Sequence, residues 1–303
     1  MKKIWIDTDI GGDIDDALAL LLVTGSENVR LLGVSTVFEN AVARAKIAAF
    51  LLEKGGLCNV PVYAGNGLPI KARSVFGTPV DEKKLPKTYL KEKFDGIGIT
   101  RGDAVEAIKN AVENNEGMTV VSIGALTNLA NFIEKYPETA HKADYVIMGA
   151  AKGLNLNEFN LTCDPEASAK VFSSDVKKKI VTLDCTFRCE VPEDKIKRLR
   201  ALKSTAVSTV MDMFGKWGET MILHDPLAVS AAIGNEYLTF EKGDLLVETA
   251  GEFSRGKCVD LTDFNWRKPG RDDMLVSVDV DAEAFVEHFV STVEKLDEKL
   301  LKQ

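Results

Sequence analysis

Short runs rich in β-branched and apolar residues recur at residues 3–7, 30–37, 118–123, 145–148 and 180–184, each bounded by Gly, Asp or Asn. Segments of helical spacing lie between them at residues 16–23, 41–54, 103–114, 126–135 and 165–172. Parallel strands need long crossovers that a helix covers, so this alternation confines the chain to an α/β architecture with helices on both faces of the sheet. The expected fold is a single domain over residues 1–303: a mostly parallel, doubly wound sheet with a Rossmann-like core. Helical and hairpin additions are expected in the C-terminal third. After about Pro192 the pattern is helical through Trp217, hairpin-like strands follow at 245–249, 257–261 and 274–280, and a charged helix spans 282–301. The stretch 70–100, with Lys83, Lys84, Lys87, Lys91 and Lys93, reads as a flexible surface excursion, and the run Lys177–Lys179 as a solvated approach to a strand.

Composition narrows the class. Of the 303 residues 45% are hydrophobic and 28% charged, and no apolar run approaches the roughly 18 residues of a spanning helix, which argues against a membrane-embedded or disordered chain. The formal charge of −8 would repel a phosphate backbone, so a cation or a neutral small molecule is a better partner than nucleic acid. Asp7 and Asp9 interrupt any apolar core of an export signal, and the five cysteines are dispersed and odd in number. A reduced, cytoplasmic protein is expected.

The segment Ile4–Leu20 reads as a buried strand, a glycine turn and a helix, and it carries five carboxylates within ten positions: Asp7, Asp9, Asp13, Asp15 and Asp16. Positions i and i+2 of a strand share a face, so Asp7 and Asp9 meet at its carboxyl end while Asp15 and Asp16 open the helix. A helix N-terminus stabilises one or two carboxylates by about 0.3–1 kcal/mol each. Five need more, and a hard divalent cation, Ca²⁺ or Mg²⁺ with six or so oxygen ligands, supplies it. The pattern lacks the spacing of an EF-hand loop, so the remaining ligands come from elsewhere in the chain.

Two distant segments are candidates to complete the site. Asp225 lies in Leu223-His224-Asp225-Pro226 at the expected start of a helix, and His224 follows the apolar Met221-Ile222-Leu223. The other two histidines, His141 and His288, sit in polar helical surroundings and read as solvated. Asn155-Leu156-Asn157-Glu158-Phe159-Asn160 packs amides and a carboxylate around one aromatic, which suits vicinal hydroxyls and the apolar face of a sugar.

Together, Asp7-Thr8-Asp9-Ile10-Gly11-Gly12-Asp13-Ile14-Asp15-Asp16-Ala17, Asn157-Glu158-Phe159-Asn160 and His224-Asp225-Pro226 resemble, in order and separation, the nucleoside hydrolase family of the inosine-uridine-preferring type. Gly33–Val37, Val60–Gly65, Asp95–Gly98 and Gly124–Ala130 support the resemblance, which covers most of the chain. It implies a Ca²⁺ ion on the floor of a cleft and hydrolysis of the N-glycosidic bond of ribonucleosides to free base and ribose, a step of nucleoside salvage. A homodimer or homotetramer is implied as well. By position, Asp9, Asp16, Asp225 and the carbonyl of Ile123 would hold Ca²⁺, and Asp9 would also activate a metal-bound water. Asp15, Glu158 and Asn160 would bind ribose hydroxyls, Asn40 would face the site, Met148 would lie near the ribose, and His224 would help the base depart. An oxocarbenium-like transition state explains why carboxylates crowd such a site.

Two departures from the family pattern stand out. Gly12-Asp13 is additional to the shorter first motif, leaving Asp13 without a role, and the short loop before Glu158 makes Asn155 and Asn157 rivals for one ribose contact. The base is expected among the 70–100 stretch and the helix carrying Phe214 and Trp217, although both aromatics fit core packing at least as well. Two other classes compete. A phosphatase of the haloacid dehalogenase type would use Asp7-Thr8-Asp9 and Mg²⁺, although Lys242-Gly243-Asp244 is followed by a poor match to its second acid pair. A non-catalytic Ca²⁺- or nucleoside-binding module would keep the acids and dispense with His224.

Overall fold

The computed structural model describes residues 1–71, 74–75, 77–262 and 271–302. The strands in chain order are β1 (Lys2–Thr8), β2 (Val29–Thr36), β3 (Val62–Ala64), β4 (Ser74–Val75), β5 (Thr78–Pro79), β6 (Thr119–Ser122), β7 (Asp144–Met148), β8 (Lys178–Val181), β9 (Leu238–Lys242), β10 (Leu245–Val247), β11 (Cys258–Asp260) and β12 (Met274–Val280). Eight of them form one sheet in the order β3-β2-β1-β6-β7-β8-β12-β9, parallel throughout except for β9 at the edge. The continuous apolar run Ile4-Trp5-Ile6 follows from this position: β1 is central, covered on both faces, and those side chains are buried. Strand order reverses between β1 and β6, and at such a switch point the carboxyl ends of neighbouring strands open a crevice.

The first crossover helix, Asp15–Gly25, is buried from Asp15 to Val23, which accounts for its almost uninterrupted apolar sequence. The helices Ala41–Lys54, Ala104–Asn114 and Pro165–Ser173 are each started by a side chain that accepts a backbone N–H: Asn40 from Ala43, Asp103 from Glu106 and Asp164 from Ala167. No helix among the described residues is long and apolar enough to cross a membrane.

Several expectations need correction. The run 180–184 ends as a strand at Val181, and Leu183–Thr186 turns into a short helix. Only two of the three expected hairpin strands pair as a hairpin, β10 with β11. β12 instead enters the main sheet, parallel to β8 and antiparallel to β9, because a β-branched run specifies a strand without specifying its partner. Lys178 is not solvated: its side chain is fully buried, donating to the Ser174 carbonyl at 2.8 Å and to Asp273 at 2.9 Å. His288 is half-buried beside Tyr237. The described later part of the 70–100 stretch is packed rather than free. Tyr89 and Phe94 are buried, and the backbone N–H and the hydroxyl of Thr88 both donate to the Gly11 carbonyl at 3.0 Å. Residues 72–73 and 76 of that stretch lie outside the described residues.

Candidate active site

The crevice at the β1/β6 switch point gathers the expected acids. Asp9 follows β1, Asp15 and Asp16 begin the first helix, Glu158 starts the helix Phe159–Cys163, and Asp225 lies in the first turn of the helix His224–Ile233. All five are buried. Asp16 accepts from the Thr8 hydroxyl, and the Asp16 N–H donates to Asp15 at 3.1 Å. One carboxylate oxygen from each of Asp13, Asp15 and Asp16 lies within 4.8 Å of the others. Glu158 accepts the N–H groups of Asn160 and Leu161 at 2.8 and 2.9 Å, which fixes the carboxylate as the cap of its own helix.

Burial is the main reason these acids resist ionisation. It pushes Asp9 up to about 6 against the pull of Arg44, and Glu158 up to about 7. Asp15, Asp16 and Asp225 are raised well above the usual carboxylate range by burial first, then by mutual repulsion: Asp13 and Asp225 act on Asp15, Asp9 acts on Asp16, and Asp16, Asp13 and Asp9 act on Asp225. The nearby buried cation, Arg44, is already engaged. Its guanidinium donates to the carbonyls of Phe38 (2.8 Å), Asp9 and Ile10 (3.1 Å) and reaches Glu39 at 3.5 Å, so it braces the turn after β1.

A hard divalent cation fits this set. The donors are oxygens, and Asp225 Oδ1 is buried without a hydrogen-bond partner among the described residues, a costly arrangement unless a cation completes it.

The remaining expected residues lie in varied surroundings. Ile123 follows β6, Met148 ends β7, and both are buried; Asn160 Nδ2 lies 3.4 Å from both of their carbonyls and 3.5 Å from the Met148 sulfur. Asn40 is half-buried and spends its side-chain oxygen on Ala43 N–H at 3.0 Å. Phe159 is half exposed and meets Phe38 edge-on at 6.3 Å. Asn157 is half-buried and donates to the Arg255 carbonyl at 3.3 Å, whereas Asn155 is exposed and held by Lys257. Phe214 is buried in the core, and Trp217 lies under the Lys87 ammonium at 3.8 Å.

His224 is half-buried, and burial lowers its pKa against the opposing charge of Asp13. Its Nδ1 lies 2.7 Å from the hydroxyl of Thr186, and Phe187 packs edge-on against its ring at 5.1 Å. Neither Thr186 nor Phe187 stands out in the sequence: Thr186 ends the short helix Leu183–Thr186 and Phe187 follows it, both just beyond the run read as a strand. Arg44 carries a weak signal, a cation in the otherwise alanine-rich start of its helix. Phe38, Glu39 and Ala150 hold left-handed backbone (φ of 67°, 51° and 75°) beyond the ends of β2 and β7, an arrangement that costs non-glycine residues free energy and clusters at functional sites.

Asp7 is sealed inside the sheet, accepting from Ser35 at 2.5 Å and Asn128 at 2.8 Å. A fully buried carboxyl so engaged cannot be the attacking group that a haloacid dehalogenase-type phosphatase requires.

Comparison with known proteins agrees with this geometry. The sequence model described as inosine-uridine preferring nucleoside hydrolase matches residues 4–287. A pyrimidine-specific ribonucleoside hydrolase, RihA, of Salmonella agona is 31% identical over 303 residues, covering 94% of this chain and 96% of the relative. Among solved structures, a purine-preferring ribonucleoside hydrolase from Gardnerella vaginalis superposes with a TM-score of 0.83 at 24% identity, covering 98% of this chain and all of the other. A plant nucleoside hydrolase, PpNRh1, superposes with a TM-score of 0.82 at 21% identity over 96% and 98% of the two chains. Those two likenesses establish the fold, while the match across residues 4–287 shows that the chain belongs to the inosine-uridine preferring nucleoside hydrolase family.

Proposed function

We propose that the chain hydrolyses the N-glycosidic bond of ribonucleosides to free base and ribose, with Ca²⁺ as its resident cation. The observation that carries this reading is the convergence of Asp9, Asp15, Asp16, Glu158 and Asp225, buried and from three separate segments, on a floor where one Asp225 oxygen has no hydrogen-bond partner among the described residues. Asp9, Asp16, Asp225 and the Ile123 carbonyl would hold the ion, which supplies a Lewis acid that orients water and ribose hydroxyls and favours loss of a proton from water.

The chain's own residues account for the rest. Asp9 accepts a proton from the water whose oxygen bonds to the anomeric carbon while the carbon–nitrogen bond breaks. Glu158, Asn160 and Asp15 bind the ribose hydroxyls, and Asn157, Asn40, Met148 and Phe159 border the sugar. The carboxylates around the ring oppose the positive charge that develops there. The leaving base gains negative charge, and His224 relieves it with a hydrogen bond donated from its Nε2–H, the proton that completes the free base coming from solvent. Thr186 favours that tautomer when its hydroxyl donates to Nδ1.

The test is direct. Calcium-loaded protein incubated with inosine and with uridine should release reducing sugar in step with free base, and Asp9→Ala should abolish the release. The relatives' names point to different bases, pyrimidine for RihA and purine for the Gardnerella enzyme, so the two substrates also report base preference. Failure of every ribonucleoside to yield ribose, with nucleoside still bound, would favour the non-catalytic binding module.

A further inference from the structure

The proposed cation ligands leave one acid unexplained. Asp13 belongs to the pair Gly12-Asp13 that lengthens the turn between β1 and the first helix, and the turn is rigidly placed. Gly11 has a φ of +103°, and a Cβ there would meet Ile47 at 2.6 Å and Pro86 at 2.8 Å, while Thr88 binds its carbonyl twice at 3.0 Å. Beyond this clamp the Asp13 carboxylate is half-buried, and its Oδ1 accepts the Asp15 N–H at 2.9 Å. A carboxylate has two oxygens with about four acceptor directions, so this bond leaves most of its capacity free.

We propose that Asp13 is an additional ligand of the cation, an oxygen donor that the lengthened turn contributes beside Asp16. The inference rests on the calcium reading given above. Two independent observations support it. Carboxylate oxygens of Asp13, Asp15 and Asp16 lie within 4.8 Å of one another, the spacing of ligands around a single ion. On a helix more than 200 residues away in sequence, the buried Asp225 Oδ1 has no hydrogen-bond partner among the described residues, and its carboxylate feels the charges of Asp16, Asp13 and Asp9 together. A role confined to starting the helix would explain the bond to Asp15 N–H. It would leave unexplained why this carboxylate lies so close to those of Asp15 and Asp16.

More carboxylate ligands bind Ca²⁺ more tightly, and without the ion they repel one another more strongly. Substitution by Asn separates the two roles, because Asn starts a helix about as well as Asp but carries no charge. Asp13→Asn protein, stripped with chelator and titrated with calcium chloride in a calorimeter, should bind at least about tenfold more weakly than wild type. Its melting temperature should shift in opposite senses: at or above wild type in chelator, below wild type in saturating calcium. Asp13→Ser, which also starts helices, serves as a second variant if the Asn protein does not refold after stripping, and the same shifts are expected. Equal calcium affinity in wild type and both variants overturns the role of Asp13 while leaving the calcium reading intact. Absence of calcium uptake by wild type that still hydrolyses ribonucleosides overturns both.

Discussion

Gly124 lies so close to Asp9 that a Cβ on it would come within 2.7 Å of the Asp9 backbone nitrogen and 2.9 Å of its carboxylate. The two residues leave the central strands β1 and β6 on either side of the switch point, and the missing side chain lets the strand ends close to this distance. Real Cβ atoms do not approach backbone so closely, so a methyl group here must displace Asp9.

Gly124→Ala should therefore remain folded, at a cost of about 1–3 kcal/mol for overpacking, yet lose hydrolysis by about tenfold or more and bind calcium less tightly. Circular dichroism, calorimetry and a ribose-release assay check the three parts. Wild-type calcium affinity in this variant would show that Asp9 is not held against the strand end as a ligand.

Much of this arrangement is legible in the sequence because it is local. The alternation of β-branched runs and helical spacing specifies the parallel sheet, and the acids from Asp7 to Asp16 mark the end of β1. What escapes is what depends on partners distant in sequence. The antiparallel neighbour of β12, the burial of Lys178 against Asp273, and the contact of Thr186 with His224 join residues that no local period connects. Arg44 likewise reads as an ordinary helical cation until the fold brings the carbonyls of Asp9 and Ile10 to it.

Thr186→Val removes a hydroxyl 2.7 Å from His224 Nδ1 while keeping the volume, and frees the imidazole to take either tautomer. The expected result is a fall in kcat of about 10- to 100-fold for inosine and uridine, with KM little changed. p-Nitrophenyl riboside, whose phenolate leaves unprotonated, should be hydrolysed nearly as fast by Thr186→Val and by His224→Ala as by wild type. Equal slowing of both substrate types, with calcium still bound, would place His224 and Thr186 in positioning the ribose or the Asp225 turn instead.

Glu158 and Asn160 present buried polar groups to the crevice, and a site built to bond hydroxyls leaves those groups unpaired when a hydroxyl is missing. A 2′-deoxynucleoside should accordingly show a kcat/KM lower by about 100-fold or more. Glu158→Gln keeps only one of the two oxygens that cap the helix, so its loss of activity reports the sugar contact only if circular dichroism and melting show the variant folded. Inosine and 2′-deoxyinosine consumed at the same kcat/KM would remove both residues from ribose recognition.

The acids also set how stability depends on pH when calcium is absent. Burial raises Asp7 to about 7, Asp9 to about 6 and Glu158 to about 7, against ordinary values of 3.8 for aspartate and 4.5 for glutamate. Between those limits the folded chain holds more protons than the unfolded one, so stability falls as pH rises. Their contribution is fully present below the ordinary values and is lost as pH climbs through about 6 to 7. In chelator, the melting temperature should drop by several degrees from about pH 5 to about pH 7.5. Calcium reverses the preference, because ligands bind the ion only when deprotonated, so its affinity should rise over the same range and the calcium-saturated protein should hold its melting temperature. A chelated protein that grows more stable toward pH 7.5 would mean that these carboxylates are satisfied by the fold itself, with no need of a cation.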